Sequence, residues 1–262
     1  MMRALALLIS LLFAVPALAE DVGAPLTQLE TGDQTRGWEA VGRLDLGQGS
    51  FCTGTLIAAD LVLTAAHCLF DRRTGAMIDA RDMEFRAGWR NGRAEAYRKV
   101  SRAMAHPSYR YEGPQGMKRS SFDLALVKLA QPIRLPQLQP FALSDAAPYS
   151  GEKVGVLSYA KGRSEAPSLQ KACAVIAREN ATVIMSCSVD YGASGAPVFS
   201  FADGTPRIVS IVSAKAELGK EPVSIGSLVS GVADLRQEIE ARDTPRGAQE
   251  IRAGGAKFVR PN

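Results

Sequence analysis

Two segments of the chain carry side chains suited to acid–base chemistry. His67, one of only two histidines, directly follows the apolar run 61–66. Its ordinary pKa of about 6.5 suits a general base near neutral pH. Asp123 stands at the start of the apolar run 124–127, and a carboxylate buried there needs a partner such as a histidine N–H. Taken singly, the two residues could equally be a satisfied core histidine and a turn aspartate.

A third segment could supply a nucleophile. Ser194 lies in the small-residue stretch 192–197, which reads Gly-Ala-Ser-Gly-Ala-Pro. A nucleophilic hydroxyl needs little bulk around it, and backbone N–H groups must approach the oxyanion that forms. Alone, the stretch could also be an ordinary glycine turn.

Together, the strings TAAHC, DLALVKL and GASGAPV resemble the chymotrypsin/trypsin-like serine peptidases, closest in style to bacterial glutamyl endopeptidase-like members. The resemblance runs from about Trp38 to about Arg242. It implies that His67 is general base and then acid, that Asp123 orients it, and that Ser194 is the nucleophile. The backbone N–H groups of Gly192 and Ser194 would form the oxyanion hole. By the same resemblance, His106 is a non-catalytic surface residue.

The sequence departs from the family pattern at several positions. Ala193 replaces the aspartate that binds the new N-terminus in trypsin-type zymogens, and no I-V-G-G start is found, so that activation switch is predicted to be absent. The specificity pocket aligns with four positions of this chain, which are Ser188, Val212, Ser213 and Lys215.

Three of the pocket positions bear on substrate preference. Ser188 is not an aspartate, which disfavours cleavage after Lys or Arg. Val212 stands where glutamyl endopeptidases have a histidine, which puts strict glutamyl specificity in doubt. Lys215 replaces a glycine at the pocket mouth, where it either narrows the pocket, attracts acidic side chains or is simply a solvated lysine.

The elements around these segments are mostly short β-like runs separated by turn residues, which predicts an all-β fold. The resemblance specifies two antiparallel six-stranded β-barrels packed at a catalytic cleft, with a C-terminal amphipathic helix. Helical periodicity over 229–242 agrees with that helix. The predicted strands are Val41–Leu46, Thr55–Ala59, Leu61–Thr64, Leu124–Leu129, Val154–Tyr159, Val183–Val189, Pro197–Phe201 and Ile208–Ser213.

The predicted domain organisation has four parts. Residues 1–19 have a basic start, an apolar run and an Ala-Leu-Ala end, as in a secretory signal peptide. A membrane anchor is the alternative, but the run is shorter than the roughly 20 residues that a spanning helix needs. Residues 20–135 and 136–243 are the two barrel lobes, joined through a proline-rich connector over 131–140. Residues 244–262 form a mobile tail.

Four cysteines allow three pairings, and export would place them in an oxidising compartment. We predict Cys52–Cys68 and Cys173–Cys187, because each pair closes a loop of hairpin size. Cys52–Cys68 also matches the family's bridge beside the histidine. The spacings lack a C-x-x-C knuckle, and two histidines exclude a multi-histidine site, so no metal or cofactor is expected.

The composition limits the partners. Hydrophobic residues make up 46% of the chain, enough for a sizeable core, and 31 basic against 27 acidic residues give a net charge of +4. This excess is too small to indicate nucleic acid. We predict an exported, monomeric serine endopeptidase that acts on polypeptides and has no membrane association after signal cleavage. The alternative is a non-catalytic binding module on the same scaffold.

Overall fold

The computed structural model describes residues 25–113 and 121–242. The predicted signal peptide and the predicted tail lie outside these residues. Within them, the chain forms thirteen β-strands, two α-helices and short 3-10 turns. The strands belong to two sheets, and apart from β1 each sheet is built from one half of the chain.

The first sheet is a closed antiparallel barrel with the strand order β2-β3-β4-β7-β6-β5. Large apolar side chains at alternating positions, such as Leu44 and Phe85, are fully buried in its interior. A four-residue helix, α1 (Gly32–Thr35), precedes it. Its six strands are β2 (Val41–Asp45), β3 (Phe51–Ala58), β4 (Leu61–Thr64), β5 (Glu84–Ala87), β6 (Ala96–Ala105) and β7 (Ala125–Leu129).

The second sheet also closes, because β8 pairs with both β11 and β9, giving the ring β8-β9-β10-β13-β12-β11. A short strand, β1 (Thr27–Gln28), adds to β9 from outside the ring. The six ring strands are β8 (Lys153–Ala160), β9 (Arg163–Glu179), β10 (Thr182–Met185), β11 (Pro197–Ser200), β12 (Arg207–Leu218) and β13 (Glu221–Leu228). The predicted architecture of two six-stranded antiparallel barrels is confirmed.

The C-terminal helix is also present. A 3-10 turn over Val229–Gly231 leads into α2 (Val232–Ala241), one residue shorter at its C-terminal end than the predicted periodicity. Val232, Leu235 and Ile239 are buried, and the helix packs against β7 of the first barrel. A helix that follows the second barrel in sequence therefore helps to hold the first. Among the described residues, no helix combines the length and the apolar character needed to cross a bilayer.

The two barrels also meet through an aromatic cluster. The ring of Trp38 lies 5.8 Å from that of Phe141 and 5.2 Å from that of Phe199, measured between centroids. Trp38 precedes the first barrel, Phe199 lies in β11, and Phe141 belongs to the segment 130–152, which contains the predicted proline-rich connector and no strand. Ring contacts of this kind add to the stabilisation from buried area.

Several strands were not predicted from the sequence. Charged residues on β6, which include the half-buried Arg98 and the exposed Lys99, obscure its alternation of apolar and polar residues. The long strand β9 is interrupted by Ala172, whose φ of 61° coincides with a register shift against β8. The predicted strand over 183–189 ends at Met185, so Ser188 lies in a loop.

Both predicted disulfides, Cys52–Cys68 and Cys173–Cys187, are formed. The first joins β3 to the 3-10 turn Ala66–Leu69, which carries His67. The second joins β9 to the loop that follows β10. Each bridge therefore ties a strand to one of the loops that lead toward the candidate site residues.

We expect removal of the second bridge to lower stability. Cys173 and Cys187 are 14 residues apart and buried, so the Cys173→Ala/Cys187→Ala variant should lose about 3 kcal/mol of unfolding free energy through loop entropy. Urea denaturation followed by circular dichroism measures this loss. The single variant Cys187→Ala should lose nearly as much, because it also lacks the bridge. An unchanged midpoint in both variants would contradict the prediction.

Candidate active site

The carboxylate of Asp123 is fully buried and accepts three hydrogen bonds. The backbone N–H of His67 donates to Oδ1 at 2.8 Å, and Nδ1 of the same residue lies 2.7 Å from Oδ2. The hydroxyl of Ser213 donates to Oδ2 at 2.5 Å. A buried carboxylate with these partners is compensated as an anion. It fixes Nδ1 of the imidazole as the donor and leaves Nε2 as the acceptor.

The hydrogen bond from Ser213 to Asp123 was not predicted from the sequence. The family alignment assigned Ser213 to the specificity pocket, whereas its hydroxyl points to Asp123 and the residue is buried. Ser213 lies in β12 of the second barrel, and Asp123 immediately precedes β7 of the first. The hydrogen bond therefore crosses between the two barrels.

Ser194 lies in the loop between β10 and β11, and this loop is anchored to the first barrel. The backbone N–H of Thr53 donates to the carbonyl of Ser194 at 2.9 Å, and the Thr53 hydroxyl donates to the carbonyl of Gly192 at 2.8 Å. On the other side, the N–H of Gly195 donates to the carbonyl of Val212 at 2.8 Å. Strands of both barrels thus fix the loop around Ser194.

The amides of Gly192 and Ser194 donate no hydrogen bond to any other residue within the described ranges. The carbonyl that precedes Gly192, that of Tyr191, accepts from the N–H of Lys161 at 2.7 Å. Because the carbonyl and the N–H of a trans peptide point in opposite directions, the Gly192 N–H faces away from Lys161. Gly192 itself has a φ of 97°, which glycine adopts without steric cost.

Both His67 and Ser194 line one cleft of about 820 Å³. Its inner walls include the Cys52–Cys68 disulfide and the ring of Phe51. Most residues of the segment 70–82 also line it, and they carry charges of both signs. The exposed ring of Tyr191 covers one side, and Arg72 lies 5.2 Å from the ring centroid.

None of the four residues aligned with the specificity pocket belongs to the lining of this cleft. Ser188 is exposed, and its N–H donates to Oε1 of Gln170 at 2.7 Å. Val212 is buried, and its N–H donates to the carbonyl of Ala196 at 2.9 Å. The side chain of Val212 is therefore inside the second barrel's core cluster rather than facing solvent.

Lys215 forms an ion pair. Its Nζ lies 2.9 Å from Oδ1 of Asp190 and 4.5 Å from the ring centroid of Tyr191. The hydrogen bond from Lys215, with a second from the Tyr191 amide, lowers the pKa of Asp190 below its usual value. The same hydrogen bond raises the pKa of Lys215. Both groups therefore carry charge at neutral pH.

The remaining residues singled out from the sequence lie apart from this chemistry. His106 is half-buried rather than a surface residue, stacks on Phe122 at 5.0 Å, and has its pKa lowered by burial. Ala193 is fully buried, and its N–H donates to the Asp190 carbonyl at 2.9 Å. No carboxylate is present at this position to bind an N-terminus.

One group of potential metal ligands lies in the site. Side-chain atoms of Cys52, His67 and Cys68 fall within 4.8 Å of one another. The two sulfur atoms are joined in a disulfide and offer no thiolate, and Nδ1 of His67 is held by Asp123. These residues therefore do not form a metal-binding set.

Comparison with known proteins identifies the class. The family described as Trypsin matches residues 31–223, most of the chain. The chain therefore belongs to the trypsin family and is a serine endopeptidase. A solved structure of a Glu endopeptidase in complex with MPD superposes with a TM-score of 0.68 at 16% identity, covering 85% of this chain and 98% of that chain. The fold is thus trypsin-like. No curated protein matches the sequence.

We expect Gly195→Ala to be strongly destabilising. Gly195 has a φ of 78°, and a Cβ atom there would collide with Oγ1 of Thr64 and the carbonyl of Thr53. Gly204→Ala is the matched control, since its φ of 75° imposes the same backbone cost but nothing lies within 4 Å. In urea unfolding, the control should lose about 1 kcal/mol and Gly195→Ala about 3 kcal/mol. Equal losses would show that the close approach of the loop to β3 is unimportant.

Proposed function

We propose that this protein is an exported endopeptidase that cleaves polypeptides through Ser194, His67 and Asp123 by way of an acyl-enzyme. The observation that carries the proposal is the fully buried Asp123 carboxylate bound to Nδ1 of His67, with the imidazole and Ser194 facing one cleft. The two disulfides are in keeping with an oxidising compartment. The family implies polypeptide substrates, and we propose that the protein acts as a monomer.

In the first half of the reaction, Nε2 of His67 takes the proton of the Ser194 hydroxyl while Oγ attacks the scissile carbonyl. The carbonyl oxygen becomes an oxyanion, which the amides of Gly192 and Ser194 stabilise. The C–N bond then breaks, and His67 returns the proton to the leaving amine. Asp123 keeps the imidazole oriented and stabilises its charged form throughout, without taking the proton itself.

In the second half, a water molecule replaces the amine. His67 takes one of its protons while the oxygen attacks the acyl carbon, and a second oxyanion forms at the same two amides. Collapse releases the carboxylic acid, and the proton passes from His67 to Oγ of Ser194. The enzyme is thereby restored with no net gain or loss of protons beyond those of hydrolysis.

A non-catalytic binding module is the second candidate. Such a protein would bind polypeptide in the same cleft without acyl transfer. The presence of all three side chains and of two unoccupied amides favours the enzyme. Labelling with a fluorophosphonate that reacts only with an activated serine separates the two, because a binding module would leave Ser194 unmodified.

We expect Ser194→Ala to abolish hydrolysis of a peptide substrate while the fold is retained. Loss of the nucleophile should lower turnover on the order of 10⁶-fold. His67→Ala should behave in the same way, whereas His106→Ala should remain active because His106 lies against Phe122. Purified variants with matching circular dichroism spectra are assayed for turnover. Comparable activity in Ser194→Ala, or a dead His106→Ala, would overturn the assignment.

For side-chain preference, we propose that residues of small to medium apolar type are favoured on the acyl side of the scissile bond. Ser188, which only the family resemblance assigns to the pocket base, supplies no charge to hold a Lys or Arg side chain, and desolvating an unpaired cation is costly. Lys215 supplies little attraction for acidic side chains, because its ammonium is paired with Asp190 at 2.9 Å. Lys215 is therefore neither a freely solvated lysine nor an unpaired attractant for acidic side chains, because its charge is paired with that of Asp190.

We expect Asp190→Asn to raise cleavage after Glu relative to cleavage after Ala. Asparagine keeps an oxygen that accepts from the Tyr191 amide but leaves Lys215 without an anionic partner. The ratio of kcat/KM values for matched peptides should rise about threefold at low salt, the size of an exposed ion-pair effect, and should fall back at high salt. Asp203→Asn, which removes a charge paired with Arg207, is the control. A dominant, salt-insensitive preference for Arg or Lys in the wild type would refute the pocket assignment.

A further inference from the structure

The Thr53 side chain occupies an unusual position between the two barrels. Thr53 lies in β3 of the first barrel and is fully buried. Its hydroxyl accepts a hydrogen bond from the Tyr159 N–H at 3.1 Å and donates one to the Gly192 carbonyl at 2.8 Å. A longer contact of 3.4 Å reaches the Tyr159 carbonyl. The single hydroxyl hydrogen therefore has the Gly192 carbonyl as its nearest acceptor.

We propose that the Thr53 hydroxyl is a positioning residue for the oxyanion site, acting through Gly192. This inference rests on the proposed function, because it concerns how the two amides of that site are held. Thr53 does not touch the reacting atoms. It fixes the peptide plane that follows Gly192, while its backbone N–H fixes the carbonyl of Ser194 at 2.9 Å.

Gly192 needs this external constraint because of its own backbone. With no Cβ and a φ of 97°, it can rotate more freely than any other residue type. The peptide plane before it is held by Lys161, whose N–H donates to the Tyr191 carbonyl. The plane after it is held on its carbonyl side by Thr53. The Gly192 N–H lies in the first of these planes, and the second plane also carries the Ala193 N–H, which donates to the Asp190 carbonyl at 2.9 Å. The backbone on both sides of the Gly192 Cα is therefore fixed by hydrogen bonds, of which the one from Thr53 comes from the other barrel.

Loss of the hydroxyl would release one of these two constraints. The Gly192 carbonyl would be left without its buried donor, and a backbone adjustment about Gly192 that relieves this loss would change the angle between the amides of Gly192 and Ser194. An amide aimed even slightly away from the developing oxyanion stabilises the transition state less, while ground-state binding of the peptide changes little. The expected signature is a fall in kcat with an unchanged KM.

The chain supplies a matched control two residues away in the same strand. Thr55 is buried to 1% exposure, as Thr53 is to 0%, and its side chain lies on the same face of β3. The Thr55 hydroxyl has no hydrogen-bond partner within the described ranges. Replacing either threonine by valine conserves shape and strand propensity and removes only the hydroxyl.

The experiment compares Thr53→Val, Thr53→Ser and Thr55→Val with the wild type on one peptide substrate, with rates normalised to active sites titrated by a fluorophosphonate. Thr53→Val should lose about 10- to 100-fold in kcat with KM within about twofold, less than deletion of an oxyanion donor. Thr53→Ser should recover to within about threefold, and Thr55→Val should match the wild type.

A second readout tests the oxyanion directly. Oγ of Ser194 adds to a peptide aldehyde to form a hemiacetal, and the former carbonyl oxygen, charged or hydrogen-bonded, then lies in the oxyanion site. The corresponding peptide alcohol forms no such adduct. Thr53→Val should weaken aldehyde binding by about the same factor as kcat and leave alcohol binding unchanged. Equal kcat per titrated site in Thr53→Val and the wild type would overturn the inference while the endopeptidase function stands. A wild type that neither labels nor hydrolyses would overturn the function itself.

Discussion

A fully buried carboxylate is the constraint on which the rest of the site depends. A carboxylate is costly to bury unless its oxygens are hydrogen-bonded, and the donors to Asp123 come from both barrels. His67 reaches it from the turn after β4, and Ser213 reaches it from β12. The barrels must therefore meet in one register, because any other register would leave the Asp123 carboxylate without some of its hydrogen bonds. Correct docking of the two lobes and correct orientation of the imidazole follow from the same requirement.

The loop around Ser194 also depends on contacts between the two barrels, but with the roles reversed. Here the second barrel supplies the loop and the first barrel supplies the support, through the amide and the hydroxyl of Thr53. Each lobe thus holds a residue that the other needs. The aromatic cluster around Trp38 and the packing of α2 on β7 hold the lobes together away from the cleft. The site is consequently a property of the interface rather than of either barrel alone.

Local sequence signals predicted the parts of this arrangement that local physics determines. The apolar runs before His67 and after Asp123, the small residues around Ser194 and the cysteine spacings lie within short stretches, and the strands and disulfides built from them are present. Contacts between distant strands could not be predicted in this way. The Ser213 hydroxyl bonds a carboxylate 90 residues away, and the Thr53 hydroxyl bonds a carbonyl 139 residues away. The pairing of Lys215 likewise depended on where a loop placed Asp190.

The short strand β1 has a consequence for the order in which the molecule assembles. Thr27 and Gln28 precede the first barrel in the chain, yet they pair with β9 of the second, opposite Leu169 and Ser168. Their partner does not exist until more than half of the polypeptide has been synthesised, so this pairing has high contact order. A chain that emerges from its N-terminus can close the first barrel early but must leave this segment loose. The beginning of the described chain is then joined to the far half only after β9 has been made, later than the first barrel can close.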